Sequence, residues 1–309
     1  MPMPSRRLSA ALLTGGTCLT LLTGCAGSSD TAGAHGPAAA SAIPVVASTN
    51  VYGDLARRIG GAKVQVTSII SDPAQDPHSY EAGPRNQLVL SKAEVVIENG
   101  GGYDDFVDRM LKSAGSSPHV INAVEVSGKS APKGGELNEH VWYDFPTVAE
   151  LADRIAAALG KADPADAATF TENAKDFVRL LRPLERKEAR IKAEHGGEAV
   201  AITEPVPLYM IEASGLRNAT PEQFSEAIEE GDDVSPRALR STLALFTGKK
   251  VEALVYNEQT SGPQTEKAER AAEAAGIPVV PVTETLPKGK DYLAWMTANV
   301  DALASALAK

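Results

Sequence analysis

From position 43 onward, short β-branched apolar runs alternate with segments whose apolar residues recur every three to four positions. Residues 44–48, 63–70, 94–98 and 119–124 read as strands; 51–59, 85–92 and 104–112 read as helices between them. Strands separated by helical crossovers predict a parallel sheet of α/β type. The alternation stops after Asp144. Residues 147–159 are helical, with Leu151, Ile155 and Leu159 on one face. Asp163 followed by Pro164 reads as a helix start, with Asp as N-cap and Pro at the first helical position.

From there to position 194 nothing resembles a strand, and Phe170, Phe177, Leu180, Leu181, Leu184 and Ile191 fall at helical spacing. At ~1.5 Å per residue such a helix is roughly 45 Å long, and Pro183 inside it is expected to kink or divide it. The strand–helix alternation then resumes, with strands at 199–203, 251–256 and 278–282. Helices follow at 208–214, 235–246, 265–275 and 291–308. The pattern predicts an α/β fold of two lobes with parallel sheets, joined by a long helix. A ligand site is expected in the cleft, where open α/β sheets bind outside the carboxyl ends of their strands. The organisation read this way is a leader at 1–24, a tether at 25–43, a first lobe at 44–162, the linking helix at 163–197 and a second lobe at 198–309.

The leader has Arg6 and Arg7 ahead of an uncharged, apolar and small-residue stretch over 8–22, too short for a lasting transmembrane helix. It ends in Leu22-Thr23-Gly24-Cys25, which is similar to a bacterial lipobox. Cys25 is therefore expected to be diacylated and to become the mature N-terminus. Two acyl chains anchor stably where one is marginal. Residues 26–42 are rich in Ala, Gly and Ser and read as a flexible tether to the membrane surface.

Composition narrows the ligand. Forty acidic residues against 30 basic ones give a net charge of -10, which argues against nucleic acid and suits a cation. With Cys18 in the leader and Cys25 lipidated, neither a disulfide scaffold nor a cysteine-rich zinc site is available. Of the five histidines, His35 lies in the tether, His195 at a helix end and His119 at a strand edge. His78 and His140 instead sit in loops of the β–α units, and imidazole nitrogen suits a transition metal. In the second lobe Glu204 and Glu284 follow strands, and Glu258 competes with Glu284. Asp144 and Tyr80, inside the two histidine segments, are candidates to support the ligands from behind. Two imidazole ligands predict that binding weakens below about pH 6.

The histidine segments carry a resemblance. Asp76-Pro77-His78-Ser79-Tyr80-Glu81 resembles the Asp-Pro-His-x-Tyr-Glu segment of solute-binding lipoproteins serving zinc and manganese ABC transporters, the cluster A-I or TroA-like and ZnuA-like family. Ile97-Glu98-Asn99-Gly100 with Tyr103-Asp104-Asp105-Phe106, His140-Val141-Trp142-Tyr143-Asp144, and Tyr209 through Gly215-Leu216 match further family segments in order. The resemblance implies four ligands: His78, His140, Glu204 where many zinc-binding members have histidine, and Glu284 where aspartate is usual. It implies that one Mn2+ or Zn2+ ion is carried to a membrane permease driven by a separate ATPase, by a protein that is a monomer and not an enzyme. The oxygen-rich donor set, and residues 127–138 free of the histidine-rich loop of zinc-dedicated members, tilt the expectation toward manganese. A metal-binding surface adhesin is the alternative. A secreted metallohydrolase is less favoured, since neither His-Glu-x-x-His nor Gly-x-Ser-x-Gly occurs.

Overall fold

The computed structural model describes residues 42–308 apart from positions 73, 76 and 134, so the leader, Cys25, the tether and Asp76 lie outside the described residues. The first sheet is built from β1 (Ile43–Thr49), β2 (Val64–Ile70), β3 (Val95–Glu98) and β4 (His119–Asn122). Helices α1 (Asn50–Gly60), α2 (Pro84–Leu90), α3 (Phe106–Ala114) and α4 (Ala123–Ser127) alternate with these strands. All pairings are parallel, in the order β2-β1-β3-β4. Next come α5 (Phe145–Ala162) and α6 (Ala167–His195). The second sheet uses β5 (Ala199–Ile202), β6 (Arg217–Asn218), β7 (Leu254–Asn257) and β8 (Val279–Val282). Helices α7 (Leu208–Ala213), α8 (Glu222–Glu229), α9 (Pro236–Thr247), α10 (Pro263–Ala274) and α11 (Tyr292–Leu307) complete this half. Its order, β6-β5-β7-β8, repeats that of the first sheet, again all parallel.

Both sheets reverse direction at their second strand, so the crevices at β1/β3 and β5/β7 are where the strand ends open to a ligand. The strand centres are buried on both faces, as β3 and β5 show along their whole length. That is why they read as continuous Val/Ile/Ala runs rather than alternating ones. Among the described residues no helix is long and apolar enough to cross a membrane.

The long helix differs in two ways from the sequence expectation. Asp163 ends α5, its N–H bonded to the Leu159 carbonyl at 2.8 Å, and α6 begins only after Asp166. The Asp163–Asp166 segment is a turn, so Asp163 is not the N-cap. Pro183 also does not divide α6, which runs as one helix of 29 residues. Pro183 lies on the exposed side, where water can solvate the carbonyl that loses its N–H partner. The buried stripe of α6 is Phe170, Ala174, Phe177, Leu181, Leu184, Glu188 and Ile191, whereas Leu180 is exposed. This stripe packs against α5, α1 and α11.

Candidate metal centre

Loops after the first-sheet strands bring one wall of the cleft together. His78 follows β2. After β3, Asp104 accepts hydrogen bonds from the N–H groups of Asn99 (2.6 Å) and Gly100 (2.8 Å), folding the loop back on itself. Gly100 has φ of 75°, and a Cβ there would sit 2.1 Å from Asn122, so only glycine serves this turn. The turn delivers Tyr103, fully buried, edge-on to His78 at 5.1 Å and to His140 at 5.9 Å between ring centroids. Asn99 Nδ2 also donates to the Glu139 carbonyl (3.0 Å), tying the His140 loop to the end of β3.

His140 is buried and its Nδ1 lies 2.7 Å from Asn138 Oδ1. That contact sets Nδ1–H on Asn138 and turns Nε2 toward the cleft. Behind it, Val141, Trp142 and Tyr143 form a buried 3-10 turn. Asp144 caps α5 by accepting from Thr147 N at 3.0 Å and pairs with Lys129 at 3.3 Å. It therefore acts as a helix cap at the base of the loop, and the Tyr80 hydroxyl is occupied by Asn86 at 2.6 Å. The two histidines are supported by Asn138, on His140 Nδ1, and by Tyr103, edge-on to both rings.

The opposite wall is acidic. Glu204 follows β5, Glu284 follows β8, and both are buried. Asn257, the last residue of β7, bridges them: Nδ2 donates to Glu204 Oε2, to Glu284 Oε1 at 2.7 Å and to Thr260 Oγ1 at 3.2 Å. Tyr103 reaches across to donate to Glu284 Oε2 at 3.2 Å. Glu258, by contrast, is exposed, with its N–H paired to the Val282 carbonyl; of the two sequence candidates after β7 and β8, the cleft receives Glu284.

Two further carboxylates enter the cleft that sequence reasoning missed. Glu229, at the end of α8, places Oε1 3.1 Å from His78 Nε2 and 3.3 Å from His140 Nε2. Glu139 Oε1 lies 3.5 Å from His78 Nε2. Ligand atoms of His78, Glu139 and Glu229 all lie within 4.8 Å of one another. A signal for α8 was present in Phe224 and Ile228 four apart behind Pro221, but nothing local distinguishes Glu229 from a solvent-facing acid.

The charges respond accordingly. Burial opposes the charged imidazole, but the Glu229 carboxylate overrides it and holds His78 up at about 9 and His140 at about 10. Burial likewise opposes ionised Glu229, and the two histidines outweigh it and hold its carboxyl below the usual range. Glu204 and Glu284 are pushed up, first by burial, with neighbouring carboxylates adding to it. His140 Nε2 and Glu229 Oε2 are buried with no hydrogen-bond partner. Buried polar atoms are nearly always satisfied, so converging unsatisfied donors of imidazole and carboxylate type fit a divalent cation.

The two walls are latched. Asn50 exchanges hydrogen bonds with Leu286, Tyr143 donates to the Thr283 carbonyl (2.7 Å), and Tyr209 donates to the Asn138 carbonyl (2.6 Å).

Known proteins share this plan. The manganese-binding lipoprotein MntA of Bacillus subtilis is 32% identical over 169 residues, 53% of either chain, so the match spans about half of that relative. The iron ABC transporter substrate-binding lipoprotein MtsA of Streptococcus pyogenes serotype M1 is 26% identical over 297 residues, covering 86% of this chain and 89% of its own. The periplasmic zinc-binding protein TroA of Treponema pallidum superimposes with a TM-score of 0.72 at 20% identity, covering 86% of this chain and 100% of that one. The model of the periplasmic zinc-uptake complex component A (ZnuA) matches residues 45–306, so the chain belongs to this family of metal-binding transport proteins: it is a substrate-binding component of an ABC importer and not an enzyme.

Proposed function

We propose that the cleft takes up a single divalent metal, with manganese preferred over zinc, as cargo for a permease driven by a separate ATPase. His78 and His140 supply nitrogen from one wall; Glu204 and Glu284 supply oxygen from the other. The observation that carries this reading is the convergence of both imidazole Nε2 atoms on a carboxylate oxygen, at 3.1 Å and 3.3 Å, inside an acidic cleft. An oxygen-rich set that can reach high coordination suits manganese, while zinc is served by four ligands in a tetrahedron. Raw affinity still favours zinc, so the preference is one of degree.

Release follows from the mechanics. The 29-residue α6 packs against both α5 and α11, which disfavours a wide hinge. The latches sit instead at the start of α1 (Asn50) and on the loops around Asn138, Thr283 and Leu286, so loop shifts that separate the acidic wall from the histidines are enough to let the ion go. In this reading the protein acts as a monomer held to the outside of the cell membrane through lipidated Cys25.

The test is metal analysis of protein purified without added metal, followed by zinc and manganese competition on wild type, His78→Ala and His140→Ala. One ion per chain is expected, with each variant at least tenfold weaker. Wild-type affinity in either variant would show that histidine to be structural only.

A further inference from the structure

Glu229 falls outside the four ligand positions that the family resemblance supplies. It is the last residue of α8, which Phe224 and Ile228 anchor in the core of the second half. A carboxylate at a helix C-terminus meets the negative end of the helix dipole, and α8 has no basic residue in its last turn. The adjacent Glu230 adds like charge. The placement disfavours the helix unless a cation answers it.

The groups that face it are the two imidazoles. Oε1 lies between their Nε2 atoms, and Oε2 remains buried without a hydrogen bond. Glu204 and Glu284 are held differently, braced by the Asn257 amide and, for Glu284, by the Tyr103 hydroxyl. Among the described residues, the polar contacts of the Glu229 carboxylate are to the groups that would share the ion. It also lines, with Glu136, Glu139, Glu222 and Glu226, a cavity of about 630 Å³ beside the centre.

We propose that Glu229 is a fifth metal ligand, entering the coordination shell between His78 and His140 and favouring manganese over zinc. The inference rests on the metal-binding reading of the cleft. With the ion in place, Oε1 exchanges its contacts to imidazole N–H for a metal bond, and Oε2 is available for bidentate binding. A third carboxylate raises the coordination number beyond the tetrahedron zinc prefers and adds hard oxygen, which manganese accepts.

The experiment compares wild type, Glu229→Gln, Glu229→Ala and His140→Ala in chelator-competition titrations with Mn2+ and Zn2+, with melting curves of each metal-free protein. Loss of Glu229 is expected to weaken manganese at least tenfold and zinc by less, so the zinc-to-manganese ratio of dissociation constants moves toward zinc. Cobalt(II) serves as a second readout: the weak visible absorption of a five- or six-coordinate ion in wild type should give way to the stronger bands of a tetrahedral one in Glu229→Ala. Manganese and zinc affinities within twofold of wild type in both Glu229 variants, while His140→Ala loses binding, would overturn the proposal and leave the metal site standing. A changed melting temperature with unchanged affinities would overturn it as well, assigning Glu229 a structural role. Absence of metal binding in wild type would instead sink the reading on which it rests.

Discussion

Glu188 offers a test of how this fold tolerates buried charge. It occupies one position of the otherwise apolar stripe of α6, between Leu184 and Ile191, at 5% exposure. Its Oε1 has no hydrogen-bond partner. Burial, followed by the neighbouring Asp144 and Glu185 charges, pushes its carboxyl from 4.5 up to about 8. Below pH 4 the group is protonated folded or unfolded and costs nothing by this route. Between those two pKa values the folded chain keeps a proton that the unfolded chain releases, so stability falls as pH rises, reaching the full cost above pH 8. Each unit is worth about 1.4 kcal/mol, which makes the cost about 3 kcal/mol at pH 7. Glu188→Met, which fills a similar volume without charge, should recover most of that at pH 7 and little at pH 4. For a chain of this size the gain corresponds to a melting shift of roughly 5–10 °C. Thermal and urea unfolding of metal-free protein at both pH values reads it directly. A gain of equal size at pH 4 and pH 7 would mean that packing, not the carboxylate, set the difference, and would refute the argument.

Metal binding should also be strongly pH-dependent. Ligation needs neutral imidazole, and the metal-free histidines are held protonated to about 9 and 10, so affinity should already fall from pH 8 to pH 6, earlier than isolated imidazoles would give. With two protons displaced the loss is up to about 100-fold per pH unit; calorimetry in buffers of different ionisation enthalpy should count about two protons released at pH 7.5, and a count of zero would contradict the assignment. Glu204→His replaces hard oxygen with a single nitrogen and should move the zinc-to-manganese ratio of dissociation constants toward zinc; a ratio that stays put removes Glu204 from the ligands. Cys25→Ser should release the protein from membranes into the soluble fraction, and retention of the variant on membranes would count against a lipid anchor.

The sequence by itself determined the layered plan. Val/Ile runs separated by helical periods can form parallel sheets only by crossover, and both sheets follow. It also singled out His78 and His140 through the segments around them, although the His140 loop follows α4 and is brought to the end of β3 by the Asn99 bond to the Glu139 carbonyl. Ser235 was legible as a helix cap for the same local reason: its side chain accepts from Ala238 N at 3.2 Å. What depended on distant parts of the chain was not legible. The choice between Glu258 and Glu284 turned on which backbone position after β7 and β8 faces the cleft. Asn257 became the brace of two carboxylates only because β5, β7 and β8 lie side by side. Glu229 sits in an acidic run at a helix end, the usual look of a solvated surface, and Glu188 looks like one more charge on a long helix. Tertiary packing buried both, because burial and electrostatic partnership are properties of what folds over a residue, and local pattern carries no record of it.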